Sequence, residues 1–131
     1  MKKILWILII LAAAAAVWYI CAMVQKSRKL NAFLESFQLN EAELSAVADG
    51  AYTGEADAGL IRVRAAVTVK DGKIVNISLL QHQNGQGDAA GAITDRMVEE
   101  QRIGVDAVSG ATYSSRVIQK AVENALRRDA P

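Results

Sequence analysis

The sequence predicts an α+β protein, in which a small antiparallel sheet packs with helices and one N-terminal transmembrane helix precedes them. Three observations predict this fold: an uncharged run of 21 residues from Ile4 to Val24, two alternating strand patterns joined by Asp71-Gly72, and an apolar stripe at helical spacing near the C-terminus. They divide the chain into a membrane anchor at 1–25, a stalk helix at 26–48 and a soluble domain at 49–131.

The N-terminal run has the length of a membrane-spanning helix. At about 1.5 Å per residue it spans roughly 30 Å, the thickness of the hydrocarbon layer of a bilayer. Lys2 and Lys3 also suit a cleaved signal peptide, but the run is long for one and no small-residue cleavage site ends it. A lipoprotein at Cys21 is disfavoured by the bulky Ile20 before it. We therefore favour an uncleaved anchor over a removed signal, and the flanking charges do not set its orientation.

Charge and cysteine content exclude several functions for the soluble part. Five of the 15 basic residues flank the apolar run, which leaves ten against all 14 acidic residues and a net charge near −4. This balance argues against binding to nucleic acid, because nucleic-acid phosphates bind to basic surfaces. The single cysteine lies in the anchor, so no disulfide is expected in the domain. A metal site is not expected either, because His82 is the only histidine.

The stalk and the first strands follow from local patterns. Apolar residues from Leu30 to Val47 recur at helical spacing, and Asn40 with Glu43 resembles a capping box that would start a second short helix. Asp49-Gly50 ends the helical pattern. A first strand is predicted at 51–56.

The clearest predicted element is a β-hairpin. Its first strand, Leu60–Lys70, alternates between an inward face and an outward face, with Ile61, Val63, Ala65, Val67 and Val69 inward. Asp71-Gly72 is the signature of a type I′ turn. The return strand is predicted at Lys73–Gln81, and the inward residues are predicted to be Val75, Ile77 and Leu79.

The remaining chain is predicted as a glycine-punctuated loop and two helices. The loop covers His82–Gly87, and Asp88 is expected to cap a helix at 89–101 whose apolar side includes Ala89, Ile93 and Met97. The last helix is predicted at Ser115–Arg128. Its apolar stripe comprises Val117, Ile118, Ala121, Val122, Ala125 and Leu126.

The segment from Asp106 to Ser115 reads Asp-Ala-Val-Ser-Gly-Ala-Thr-Tyr-Ser-Ser and stands before the last helix. It places hydroxyl groups and a glycine where unpaired backbone N–H groups and the helix dipole favour a phosphate. The alternative is an ordinary turn, in which Gly110 supplies a positive φ and Thr112 or Ser114 caps the helix. The tetrapeptide Ser-Gly-Ala-Thr does not decide between them.

Several ordered motifs together resemble the FMN-binding domain family, whose members include flavin-carrying subunits of sodium-pumping and related membrane redox complexes. The resemblance covers residues 49–126. The matching pieces are Asp49-Gly50-x-Tyr52-x-Gly54 with Gly59, Val67-x-Val69-x-Asp71-Gly72-Lys73-Ile74, Asp106-Ala107-Val108-Ser109-Gly110-Ala111-Thr112 and Ala121-Val122-Glu123-Asn124-Ala125-Leu126.

The resemblance implies that Thr112 carries FMN through a phosphoester, which a separate FMN transferase makes with FAD as the donor. Asp106 matches the acidic residue that opens the transferase recognition motif. The turn residues Ser109, Gly110 and Ala111 then belong to the cofactor site. Ser114-Ser115 stands where family members often have Thr-Ser, and a hydroxyl is retained.

The function that the resemblance implies is a membrane-anchored electron carrier outside the cytoplasm, with a redox partner such as a quinone-linked membrane reductase. It is not a self-sufficient enzyme, because the sequence has no dinucleotide fingerprint and no acid–base pair. Two alternatives stay open. One is a subunit of a larger reductase that binds FMN without a covalent bond, and the other is a flavin-free interaction or sensor module.

Three further sets of side chains have two interpretations each. His82 with Gly85-x-Gly87 approaches the flavin ring, or it is an exposed residue at the end of a strand. Tyr52 and Tyr113 stack on the ring, or they pack. Arg62 and Arg64 form a solvated face, or they face a ligand.

Overall fold

In the computed structural model, residues 1–39, 46–83 and 87–127 are described, with the backbone alone for 82, 83 and 87–90. The elements are α1 (Lys2–Glu35), β1 (Gly50–Asp57), β2 (Arg62–Lys70), β3 (Lys73–Gln83), α2 (Gly87–Glu100) and α3 (Thr112–Arg127). The three strands form one antiparallel sheet in the order β1-β2-β3, which confirms the predicted α+β class.

The N-terminal helix is longer than the predicted anchor. Among the described residues, α1 alone is long and apolar enough to cross a membrane. It does not break at residue 25, where a separate stalk was expected to begin, because no glycine or proline interrupts the following residues. It ends at Glu35, and the start of the second short helix, predicted at Asn40, lies outside the described residues.

The β2–β3 hairpin has the predicted turn. Asp71 and Gly72 have φ values of 52° and 72°, and both are positive as a type I′ turn requires. The inward face of β2 is buried as predicted. Its buried residues Val63, Ala65, Val67 and Val69 are at most 1% exposed, and Ile61 just before the strand is 6% exposed.

The predicted inward face of β3 is wrong at one position. Val75 is 49% exposed, whereas Ile74 beside it is 1% exposed. The cause is a β-bulge: Val69 pairs with Ile74 and Thr68 with Asn76, so Val75 has no partner on β2. Because side chains alternate along a strand, one extra residue exchanges the two faces. Ile77 (9% exposed) and the half-buried Leu79 face inward as predicted.

Both helices of the domain start earlier than predicted. α2 begins at Gly87, so Asp88 lies within the helix and does not precede it; Ile93 and Met97 are fully buried. α3 begins at Thr112 and not at Ser115, and it covers β1 and β2 with the predicted apolar stripe. It lies close against β1 at Gly54, where a Cβ atom would lie 2.2 Å from the Ala121 carbonyl oxygen and the Ala125 nitrogen.

The turn after β1 joins the domain to α1. Gly59 has a φ of 90°, and a Cβ there would lie 2.7 Å from the Lys26 carbonyl oxygen on α1. The Asp57 carboxylate accepts the Gly59 backbone N–H at 2.8 Å, pairs with Arg62 at 2.9 Å and reaches Lys29 of α1 at 3.4 Å. The Gly59 N–H, followed by Arg62 and Lys29, holds the pKa of Asp57 at about 2, below its ordinary 3.8, despite partial burial.

Because of these contacts of Asp57, we expect the protein to lose stability in acid. A lowered pKa means that the contribution of Asp57 is complete above its unfolded pKa of 3.8 and is lost as the pH falls toward 2. We expect Asp57→Asn to lower the free energy of unfolding by about 1–2 kcal/mol above pH 5 and by almost nothing at pH 2. Urea unfolding of the full chain across this range measures the difference. The control Asp95→Asn removes an exposed carboxylate without an ion pair in the described residues, and an equal pH-dependent loss there would contradict the assignment to Asp57.

Candidate functional site

The Ser-Gly-Ala-Thr segment forms a tight turn immediately before α3. The Ala111 N–H donates to the Val108 carbonyl at 2.9 Å, which closes a four-residue turn with Ser109 and Gly110 in its centre. Gly110 has a φ of 80°, the value that a type II turn requires at its third position. No other atom lies within 4 Å of where its Cβ would be, so the backbone conformation, and not space, requires glycine there.

Thr112 is the first residue of α3 and its side chain is exposed. Within the described part of the chain, no protein acceptor pairs with the backbone N–H groups of Thr112, Tyr113 or Ser114. These three free donors lie at the positive end of a 16-residue helix, beside the Thr112 hydroxyl, where a phosphate group could bind. The residues present therefore fit the phosphate group of a flavin nucleotide.

The structure brings most of the predicted cofactor residues into one continuous surface segment. Asp106, Ser109, Gly110 and Tyr113 are exposed beside Thr112, whereas the Ala111 side chain is 3% exposed and anchors the turn. The Asp106 carboxylate faces solvent, while its backbone carbonyl accepts from the Arg96 guanidinium at 3.3 Å.

The two serines after Tyr113 differ from the rest of the motif. Ser114 and Ser115 are 3% and 0% exposed. The Ser115 hydroxyl accepts the Val108 N–H at 3.1 Å, so it holds the turn from inside the domain. The predicted capping bond from Thr112 or Ser114 is absent in the described residues, because α3 begins at Thr112 and places both side chains within its first turn.

The sequence did not predict that the Gln119 amide is fully buried and bonded to the residues before the turn. Gln119 Nε2 donates to the Ile103 carbonyl at 3.0 Å and to the Val105 carbonyl at 2.8 Å, and its Oε1 accepts from Arg116 at 3.2 Å. The available signal was a polar residue one helical turn after Ser115, next to the apolar stripe. The stripe alone gave no reason to expect it inside the core.

A buried carboxylate was missed as well. Glu123 is 0% exposed and pairs with Lys120 and with Arg127, each at 3.1 Å. Lys120 also donates to the Gln38 carbonyl at 3.1 Å, which ties α3 to the chain that follows α1. This pairing satisfies a buried charge.

The other candidate residues lie on the sheet. His82 belongs to β3, where its backbone pairs with Val63; of its predicted neighbours, Gly85 lies outside the described residues. The half-buried Tyr52 donates its hydroxyl to the Ala48 carbonyl, which favours packing. Arg62 and Arg64 pair with Asp57 and Glu55 on an exposed face.

A cleft of about 310 Å³ between β3 and α2 is lined by Val75, Asn76, Ile77, Asp95, Val98 and Glu99, and contains none of the predicted site residues. Within the described ranges, no group of three or more His, Cys, Asp or Glu side chains could hold a metal ion. The turn before α3 therefore remains the candidate site.

The family of the chain follows from comparison with known proteins. No curated protein matches the chain. The model of the FMN-binding domain family matches residues 59–127, a range that includes β2, β3, both domain helices and the whole Ser-Gly-Ala-Thr turn. Because this match covers more than half of the 131 residues, the chain belongs to the FMN-binding domain family, and its cofactor is FMN.

Proposed function

We propose that the protein is a membrane-anchored flavoprotein that carries electrons outside the cytoplasm, with FMN attached to Thr112 through a phosphoester. The observation that carries the proposal is the exposed Thr112 at the start of α3, beside three backbone N–H groups without a protein acceptor, in a chain of an FMN-binding family. FMN, once bound, accepts and releases electrons, while the chain positions it.

The attachment step that we propose is a phosphoryl transfer from FAD. The Thr112 oxygen attacks the phosphorus on the FMN side of the FAD pyrophosphate, a new O–P bond forms, the P–O–P bond breaks and AMP leaves. The hydroxyl proton passes to a base, which an FMN transferase supplies. The product keeps one negative charge on its phosphodiester, and the helix dipole with the free N–H groups of α3 stabilises that charge.

The exposed turn suits such a modification. Ser109, Gly110, Thr112 and Tyr113 are open to solvent, so a second protein can reach the hydroxyl without unfolding the domain. Gly110 keeps the approach free of side-chain bulk. Asp106, which is exposed in the same segment, is available to the transferase as a recognition residue.

The N-terminal helix would tether the proposed carrier to the membrane. α1 is long enough to span a bilayer, and tethering raises the effective concentration of the domain near membrane partners. We propose that the domain faces the extracytoplasmic side and that the partner is a membrane redox protein such as a quinone-linked reductase.

The test is the flavin content of the denatured full chain, exported with and without a co-expressed FMN transferase. A fluorescent polypeptide band that requires the transferase supports covalent attachment. Flavin that leaves the chain on denaturation, with no fluorescent band, would replace the proposal with a non-covalent FMN subunit. Protein without any flavin in the presence of active transferase would favour a flavin-free interaction module and would contradict the carrier proposal.

A further inference from the structure

The segment between α2 and α3 is held in place by two side chains of α3 itself. Residues 103–108 form neither helix nor strand. Ser115 accepts the Val108 N–H at 3.1 Å, and Gln119 donates to the Ile103 and Val105 carbonyls at 3.0 Å and 2.8 Å. Ser115 and Gln119 are four residues apart and lie on one face of the helix.

The two Gln119 bonds are buried and the Ser115 bond is partly buried, so their loss would be costly. Ser115 and Gln119 are each 0% exposed, and the side chains of Ile103 and Val105 are 1% and 2% exposed. A buried amide without partners costs about 1–3 kcal/mol, so a different path for the segment would leave polar groups unpaired. The two α3 side chains therefore hold three backbone positions of the segment, Arg96 of α2 bonds to a fourth at the Asp106 carbonyl, and two apolar side chains are buried.

The last of these positions is where the site begins. Val108 is the first residue of the turn that ends at Ala111, and Thr112 follows directly. The bond from the Val108 N–H to Ser115 fixes the start of the turn relative to α3. The Gln119 amide fixes the preceding residues Ile103 and Val105, and the Arg116 guanidinium, which donates to Gln119 Oε1 at 3.2 Å, orients that amide.

We propose that Gln119 and Ser115 are positioning residues, which hold residues 103–108 against α3 so that the turn presents the Thr112 hydroxyl outward for attachment of FMN. The presentation to a transferase rests on the proposed function, whereas the holding of the segment does not. Neither side chain touches the cofactor, and both act through the backbone of the turn.

The experiment uses the full chain in detergent micelles, with two variants and one control. Gln119→Met keeps the length of the side chain and removes both donated bonds. Ser115→Ala is the milder change and removes the acceptor of the Val108 N–H. The control is Thr94→Val on α2, which removes another buried hydroxyl, one that bonds to the Gly91 carbonyl within α2 and not to residues 103–111.

The first readout is amide hydrogen exchange in protein without flavin. We expect exchange over residues 105–111 to rise about tenfold in both variants, relative to the exchange of core amides in α3, and to stay unchanged in Thr94→Val. Equal exchange across this segment in the wild type and both variants would overturn the holding role, as would a rise that only matches the loss of global stability.

The second readout is the rate at which the transferase loads each variant. We expect a higher KM for Gln119→Met and Ser115→Ala, because a smaller fraction of the protein presents the turn correctly, with little change in kcat. Faster exchange with unchanged loading would overturn the positioning role. A wild type that takes no flavin would overturn the proposed function alone, and hydrogen exchange would still decide whether these side chains hold the segment.

Discussion

Thr112→Ala is expected to abolish covalently bound flavin while the domain stays folded. The loss is complete because alanine has no oxygen that can form the phosphoester. The fold is spared because the Thr112 side chain is exposed and makes no hydrogen bond within the described residues. We therefore expect the free energy of unfolding without flavin to change by no more than about 0.5 kcal/mol.

Two controls make this result specific. Thr112→Ser keeps a hydroxyl at the same backbone position and should retain part of the label. Thr53→Ala removes an exposed threonine from β1, away from the turn, and should retain all of it. The measurement is in-gel flavin fluorescence after co-expression with the transferase, normalised to the amount of protein. A label that survives Thr112→Ala would show that another residue is the acceptor.

Gly54→Ala is expected to cause a large loss of stability. A Cβ atom at this position would lie 2.2 Å from two backbone atoms of α3 and 2.7 Å from the Ala125 Cα atom. Backbone atoms of a packed helix cannot move aside like the end of a flexible side chain, so α3 must shift away from β1. We expect a loss of about 3 kcal/mol, at the upper end for overpacking.

The shift would also break a bond beside the contact, because Asn124 Nδ2 donates to the Glu55 carbonyl at 2.9 Å. Thermal and urea unfolding of the full chain measure the loss. Gly91→Ala is the matched control: Gly91 lies within α2, and its Cβ would meet no atom within 4 Å. Alanine there should be neutral or stabilising by up to about 1 kcal/mol. If Gly54→Ala is as stable as Gly91→Ala, α3 does not pack against β1 as closely as described.

The contact at Gly54 matters for function because α3 carries the candidate site at its first turn. The helix packs closely against the sheet at Gly54. Hydrogen bonds from Ser115 and Gln119 hold the turn and the residues before it against the helix. Changes at Gly54 should reduce the folded fraction, and with it the flavin content, in proportion. Changes at Thr112 should remove flavin without changing the folded fraction, so the two effects can be told apart.

Most of the fold could be predicted because it follows from short-range patterns. Asp71-Gly72 selects its turn type through two positive φ values, and alternation on β2 or helical spacing on α3 marks the buried side. The prediction failed at Val75, where a bulge exchanged the faces of the strand. A bulge depends on how a partner strand pairs, and the alternation of one strand contains no sign of it.

The candidate site was predictable in part. The hydroxyl at Thr112 and the glycine at position 110 could be named from the motif, and the structure places them on an exposed turn before a helix. The burial of Ser115 and the amide of Gln119 could not be named, because their bonds reach backbone groups 7 to 16 residues away.

The sequence by itself determined the apolar N-terminal helix, the hairpin, the stripe of α3 and the Ser-Gly-Ala-Thr turn, because each depends on residues close together in the chain. Tertiary structure alone decided three other features: the face of Val75, the joint of Asp57 with Lys29 of α1, and the holding of residues 103–108 by Gln119. The physical reason is that hydrogen bonds and close packing between distant segments depend on which surfaces meet. A local pattern states which residues are buried, but not which buried polar groups find each other.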